Sequence, residues 1–299
     1  MGKTLVVITG PTAAGKTDVA LDIAKAYGVP VVNADSRQIY RGMETGTAAP
    51  TREQMADVKH YFVGILPPDA TYSASMYESD ALRLLDRLFA ESDVALMCGG
   101  SMMYIDSVCN GLDDMPSVRP DIRADLMDTL RNDGLNTLLD ELAAADPEYY
   151  EAVDRNNWRR VVHALEVCRQ TGRPFSSFRK GTRAPRPFRV VKICVTRPRE
   201  ELYDRINARV DKMMSSGLLD EVRRLTPYRG ANALNTVGYK ELFDYIDGRT
   251  TLEEAVTRIK SDTRRYARKQ LTWYRRQNDV LWVHPDDMEQ IMGHISANV

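Results

Sequence analysis

The sequence predicts an α/β fold, a parallel sheet with covering helices interrupted by an all-helical insertion, and three observations carry that prediction. Through roughly the first hundred residues, short apolar runs alternate with helical patterns, as in chains built from βα units. Strand patterns then vanish over 115–180. They return at 188–195 with long helical patterns after them, so the insertion hands the chain back to the core it left.

Taken in order, the first strand is Thr4–Thr9, apolar from Leu5 through Ile8. Residues 29–33 and Val94–Cys98 share that character, which suits strands covered on both faces, as in a parallel sheet. Between the first two strands, Val19, Ile23 and Ala26 mark the buried face of a helix closed by Gly28 as its left-handed terminal residue. Ahead of Val94, Ser75 and Glu78 have capping-box spacing, and Leu82, Leu85, Leu88 and Phe89 form the buried face that follows. Gly134, Pro147, Asn156 and Gly172 punctuate 115–180 into three or four short helices. The expected organisation is a core of 1–114 and 181–299 with an insertion of 115–180. At 299 residues and 43% hydrophobic content the chain can bury such a core.

Several function classes are excluded at this level. Cys98, Cys109, Cys168 and Cys194 are scattered without a C-x-x-C pair, which argues against a disulfide framework, a zinc site or a dithiol redox centre. The apolar run 5–8 is too short for a signal-peptide core, and no stretch approaches the roughly 20 apolar residues of a membrane span. A cytoplasmic monomer with reduced thiols and no membrane partner is expected.

The sharpest motif is Gly10-Pro11-Thr12-Ala13-Ala14-Gly15-Lys16-Thr17, a G-x-x-x-x-G-K-T loop that follows a strand and opens a helix. That context defines a P-loop, and the expected core is of P-loop NTPase-like type. The glycines let the backbone curl until several N–H groups and the helix dipole converge on phosphate oxygens, and Lys16 adds a mobile positive charge. The Thr17 hydroxyl is the usual ligand for a Mg²⁺ ion that bridges phosphate oxygens. The loop alone licenses a diphosphate or a polyphosphate, with a nucleotide such as ATP as the default.

Asp35 follows the apolar stretch Val31-Val32-Asn33-Ala34, at the carboxyl end of a strand, and in a doubly wound sheet those ends open onto one crevice. There it can ligate Mg²⁺ through water, take a proton from an attacking nucleophile, or serve only as a turn or helix cap. Ser36 and Gln38 beside it carry groups suited to reading hydrogen-bonding edges. The third strand ends in Gly99-Gly100-Ser101 and lacks the terminal Asp of an ATPase metal site; the glycines admit a close ligand, and Ser101 offers a hydroxyl.

A formal net charge of −1 hides an uneven distribution: eight basic residues lie between Arg258 and Arg276 against the single acid Asp262, with Tyr266, Trp273 and Tyr274 interleaved. A stripe of that kind can neutralise backbone phosphates while a ring stacks on an unpaired base, and equally it can be a solvated helix face. Arg155, Arg159, Arg160 and His163 form a second cluster at the start of an insertion helix.

Together, GPTAAGKT at 10, DSRQIY at 35, GTAAPT at 46, GGSMMYI at 99, HALEVCRQTGRP at 163, VGYKE at 237 and YARKQLTWYR at 266 resemble the tRNA dimethylallyltransferase family, in order and spacing, through nearly the whole chain. The resemblance implies that loop 10–17 holds dimethylallyl diphosphate with Mg²⁺, and that an adenosine next to the anticodon enters from the opposite end of a channel. It implies catalytic roles for Asp35, as general base, and for Ser101. It implies contacts to a tRNA anticodon stem-loop from Asp35, Ser36, Arg37, Gln38, Ser101, Arg123, Arg159, Arg160, His163, Gly238, Tyr239, Lys240, Arg264, Arg265, Arg268, Lys269 and Gln270. Two positions depart from the family: Ser101 stands where Thr is common, which keeps the hydroxyl, and His163 where Arg is common, which exchanges a permanent charge for a titratable one.

Two other functions compete. A P-loop kinase of a nucleoside or small metabolite, with Asp35 as base and the insertion as a lid, accounts for the first strands equally well but leaves the basic aromatic helix unexplained. An RNA-binding module that uses a nucleotide only as a switch is the third.

Overall fold

The computed structural model describes the chain except Met1, Asp114, Ser117, Lys180, Thr182 and Arg183, so Lys180, the expected last residue of the insertion, lies outside the described residues. The chain forms two compact units, Met1–Asn110 with Arg186–Val299, and Gly111–Pro185. The second begins before and ends after the expected 115–180.

The first unit is built on one six-stranded sheet, all parallel: β1 (Thr4–Thr9), β2 (Val31–Asn33), β3 (His60–Tyr61), β4 (Val94–Cys98), β5 (Arg189–Val195) and β6 (Val280–Val283), in the order β3-β2-β4-β1-β5-β6. β1 is central, with Ile8 opposite Cys98 on one side and Ile193 on the other. All six residues of β1 are buried, with Val6 and Ile8 facing one apolar cluster and Leu5 and Val7 the other. This is the two-sided burial that the unbroken apolar run predicts.

The register brings the carboxyl ends of β1, β2 and β4 together. Ala34 N–H donates to Cys98 O, Gly99 N–H to Ile8 O and Ser101 N–H to Ala34 O. Two glycines are obligatory here: a Cβ on Gly10 would stand 2.1 Å from Val195 O, and one on Gly99 2.2 Å from Ala34 O.

Four local expectations are corrected. β2 starts at Val31, because Pro30 has no N–H to offer a ladder and Val31 N–H pairs with Lys59 O. The helix before β4 spans Ala74–Glu91 and is capped by Ser73, whose hydroxyl accepts from Met76 N–H, so Ser75 lies inside it and Glu78 is free to pair with Arg186. Its buried face is Tyr77, Ala81, Leu84, Leu85, Leu88 and Phe89, with Leu82 only half-buried beside that stripe. In the helix Lys16–Tyr27, Ala20, Leu21 and Ala24 join Val19 and Ile23 inside, and Ala26 is exposed. Gly28 closes that helix at φ 64° as expected.

The second unit contains helices Pro120–Asn132, Leu135–Ala145, Pro147–Ala152 and Trp158–Thr171 and a 3₁₀ turn, Phe175–Phe178, around Leu126, Leu138, Leu142, Val161 and Leu165. Buried Asp146 ties two of these elements, accepting from Tyr149 N–H at 3.0 Å and from the Ser176 hydroxyl at 2.8 Å. Among the described residues, no helix is long and apolar enough to cross a membrane.

Candidate active site

A cavity of about 740 Å³ opens at the carboxyl ends of the strands of the first unit. One wall is the P-loop. Gly10, Ala13 and Gly15 take positive φ (138°, 65° and 107°), which curls the backbone between β1 and the helix from Lys16. Four of its carbonyls are engaged by cations: Lys16 Nζ donates to Gly10 O (3.1 Å) and Pro11 O (2.8 Å), Arg205 Nε to Ala13 O (2.9 Å) and Arg197 Nε to Ala14 O (2.9 Å). With its carbonyls occupied, the loop can turn N–H groups toward an anion. Burial pulls the Lys16 ammonium below its ordinary range, and the Asp35 carboxylate acts in the opposite direction.

The facing wall is the turn after β2. Asp35 Oδ1 accepts from Arg37 N–H at 2.9 Å, so Asp35 shapes its turn and also lines the cavity. Ser101 Oγ accepts the Ser36 N–H and pins that turn to the end of β4. A methyl group built on Gly100, against the Gln270 amide, would lie 3.9 Å from Lys16 Nζ and 4.0 Å from Asp35 Oδ2, so cation and carboxylate both stand close to Gly100 in the cavity lining.

Arg205 and Arg209 were not singled out by the sequence. They stand four apart on the helix Arg199–Ser215, and both line the cavity. Burial lowers the Arg209 pKa, opposed by Asp35; a guanidinium stays charged regardless. The readable sign was arginine at i and i+4 on the face that also buries Leu202, Ile206 and Val210.

The residues expected to meet RNA separate into distinct environments. Ser36, Arg37, Gln38, Gly238 and Lys240 line the cavity with Asp35 and Ser101. Tyr239 is 0% exposed, with its hydroxyl on Glu221, and Gln270 is 1% exposed. Gln270 Oε1 accepts from Thr12 N–H and its Nε2 donates to Gly100 O, both at 2.9 Å, which makes it a brace between P-loop and β4. Tyr239 therefore has no exposed surface to offer, whereas Gln270 lines the cavity with its amide already engaged by the protein.

On the helix Leu252–Tyr274, Arg264 donates to Asn207, Arg265 pairs with Asp262, and Arg268 reaches the Tyr203 hydroxyl, while Lys269 is exposed and Tyr266 is 38% exposed on the cavity side. Arg159, Arg160, His163 and Arg123 belong to the other unit. There Arg159 lies over the Trp158 ring, Arg160 is exposed, and Arg123 and His163 share Glu166, at 2.7 and 3.3 Å.

Among the described residues, no group of three or more His, Cys, Asp or Glu could cage a metal. The donors at hand are the Thr17 hydroxyl and the Asp35 carboxylate, a sparse oxygen set that fits an ion completed by phosphate oxygens and water.

A parallel sheet whose central strand feeds a P-loop, with a carboxylate facing that loop across one cavity, defines a P-loop protein that acts on a phosphorylated substrate. Residues 38–277 match the family model for IPP transferase, and the chain belongs to the tRNA dimethylallyltransferase family. It is 52% identical over 295 residues to tRNA dimethylallyltransferase 2 of Parabacteroides distasonis, covering 99% of each chain. It is likewise 52% identical over 297 residues to tRNA dimethylallyltransferase 1 of Phocaeicola vulgatus, again covering 99% of each. The crystal structure of the tRNA isopentenylpyrophosphate transferase of Bacillus halodurans superposes with a TM-score of 0.74 at 34% identity, over 99% of this chain and 96% of that one. A eukaryotic dimethylallyltransferase solved acting on tRNA shares the fold, with a TM-score of 0.83 at 22% identity over 99% of this chain and 77% of that one. None of these is a kinase.

Proposed function

We propose that this chain transfers the dimethylallyl group of dimethylallyl diphosphate to the N6 amine of the adenosine adjacent to the anticodon in tRNA. The observation that carries the reading is the opposition of Lys16 and Asp35 about Gly100, which sets a diphosphate cradle against a proton acceptor. The N6 nitrogen attacks the allylic carbon, the carbon–oxygen bond breaks, and the bonding pair leaves with diphosphate onto the P-loop N–H groups and Lys16. Allylic delocalisation of the developing charge makes that bond breakable. Asp35 takes the proton that N6 loses. Arg205 and Arg209, bound to the backbone at Ala13 and Thr47, stand where the leaving group's charge grows.

Thr17, with Asp35 through water, would hold Mg²⁺, which when bound offsets negative charge on the diphosphate. Contacts to an anticodon stem-loop are assigned to Ser36, Arg37, Gln38, Lys240, the half-buried Arg264 and the exposed basic face at Arg265, Arg268 and Lys269, and on the second unit to Arg123, Arg159, Arg160 and His163. Their chemistry, guanidinium and ammonium groups beside exposed aromatics, supports that assignment. We infer a monomer as the working form and place it in the cytoplasm with its tRNA. Incubation with unmodified tRNA, Mg²⁺ and dimethylallyl diphosphate, followed by nucleoside mass spectrometry, should show a new N6-prenyl adenosine. Unaltered nucleosides would refute the reading.

A further inference from the structure

Glu221 is 1% exposed, and its carboxylate accepts three hydrogen bonds: Oε2 from Thr45 N–H at 2.8 Å, and Oε1 from Gly46 N–H at 2.8 Å and from the Tyr239 hydroxyl at 2.7 Å. A carboxylate taken wholly from water is costly unless its lone pairs are matched, and here they are matched by the start of one short helix, Glu44–Thr47, and by one phenol. That helix holds one wall of the cavity, through Gly46, Thr47 and Ala48, and Tyr239 follows directly on Gly238 of another.

The wall has little freedom of its own. Ala48 is held at φ 45°, and a Cβ on Gly46 would stand 2.5 Å from the Tyr239 oxygen. From this wall hang two groups of the site: Gln38 Nε2 donates to Thr47 O and Ala48 O at 3.1 and 3.2 Å, and Arg209 donates to Thr47 O at 3.4 Å. Gln38 N–H in turn points at Asp35 Oδ1 at 3.4 Å. Hydrogen bonds joined by the short backbone stretch Thr45 to Ala48 and by the Gln38 side chain therefore link Glu221 to the turn that carries Asp35.

We propose that Glu221 and Tyr239 are a positioning pair for the transfer reaction: neither touches substrate, and together they fix the wall that orients Gln38, Arg209 and, through them, Asp35 and the diphosphate. Burial, with the Glu221 carboxylate beside it, pushes the Tyr239 phenol far up, so it remains a donor throughout the working range. The proposal rests on the transferase reading above and deepens it.

The test is Tyr239→Phe, which keeps the ring and removes the hydroxyl with its contacts to Glu221 and Met43 O, with Gly46→Ala as a second variant that displaces the same wall from its other side. The readouts are inorganic diphosphate affinity by calorimetry, stem-loop affinity, and the single-turnover rate with dimethylallyl diphosphate at saturating RNA. Tyr239→Phe should weaken diphosphate binding and slow the chemical step, each by about fivefold or more, while stem-loop affinity stays within about twofold. Gly46→Ala should repeat that pattern. Wild-type diphosphate affinity and rate in a folded Tyr239→Phe protein would overturn the proposal. So would a loss confined to stem-loop affinity, which would make Tyr239 part of an RNA contact. The wild-type rate, measured alongside, tests the transferase reading separately.

Discussion

Ser101 holds Ser36 twice: its Oγ accepts the Ser36 N–H at 2.8 Å and donates to the Ser36 hydroxyl at 3.0 Å. Ser36 follows the acid that faces the P-loop, so a residue on β4's terminal loop sets the pose of a residue on β2's. Removing the hydroxyl leaves the Ser36 N–H without its partner in a half-buried turn.

The expected outcome for Ser101→Ala is a fall in single-turnover rate of about fivefold or more, since one neutral hydrogen bond is worth about 1 kcal/mol and the effect falls on geometry at Asp35. Ser101→Thr keeps the oxygen and should retain nearly the wild-type rate. Rapid-quench kinetics on the pair decides it, and equal rates for Ala and Thr would remove the hydroxyl from the mechanism.

Asp35→Ala should lower the chemical step by at least about a hundredfold, the usual worth of a positioned base, with tRNA affinity within a few-fold of wild type. Asp35→Asn keeps the turn-forming oxygen that accepts from Arg37 N–H but cannot take a proton. It should therefore be as slow as Ala while unfolding closer to wild type. An Asn variant at near-normal rate would confine Asp35 to its turn.

Lys16 gives a pH dependence whose sign follows from its surroundings. Because burial lowers its pKa, the free protein loses the ammonium at a lower pH than an exposed lysine would. Diphosphate binds the charged form, so binding raises that pKa again and takes up a proton as pH climbs. Diphosphate affinity should then decline on the alkaline side, beginning below the ordinary lysine range, and Lys16→Ala should bind weakly and without that decline. Calorimetry in buffers of different ionisation enthalpy reads the proton directly; no uptake at alkaline pH would contradict the assignment.

What was legible in the sequence follows from how local each cause is. Thr4–Thr9, the loop at 10–17 and the cap at Gly28 are fixed by neighbours within a few residues, so pattern reading finds them. His60–Tyr61 is too short to carry a period, and Val280–Val283 is a four-residue run between helices; each is a strand only because β2 or β5 lies alongside. Arg197, Arg205 and Glu221 escaped for the same reason. Each acts on a backbone far away in sequence, at Ala14, Ala13 and Gly46, and nothing near them in the chain announces it. The burial of Tyr239 and the bracing role of Gln270 escaped because a motif gives residue identity but not the direction a side chain takes.

The helix Leu252–Tyr274 supplies the last prediction. Its buried residues Ala255, Ile259, Ala267, Gln270 and Tyr274 face inward, which leaves Arg265, Arg268 and Lys269 exposed. These three are not equivalent. Arg265 already pairs with Asp262 and Arg268 with the Tyr203 hydroxyl, contacts that an incoming phosphate must replace, whereas Lys269 has no side-chain partner among the described residues. Exposed pairs of that kind are worth at most about 1 kcal/mol, so an RNA phosphate can displace them. Charge reversal at Arg268 or Lys269 should weaken stem-loop binding and reduce the salt slope by about one unit each, with the larger affinity loss at Lys269 because nothing must be broken to use it. Arg265→Glu should weaken binding as well, since it uncovers the Asp262 charge and leaves two acids one turn apart on that face. Diphosphate affinity should be unchanged in all three. Stem-loop titrations across a salt series decide the matter, and wild-type affinities and slopes in all three variants would reduce this face to a solvated helix surface.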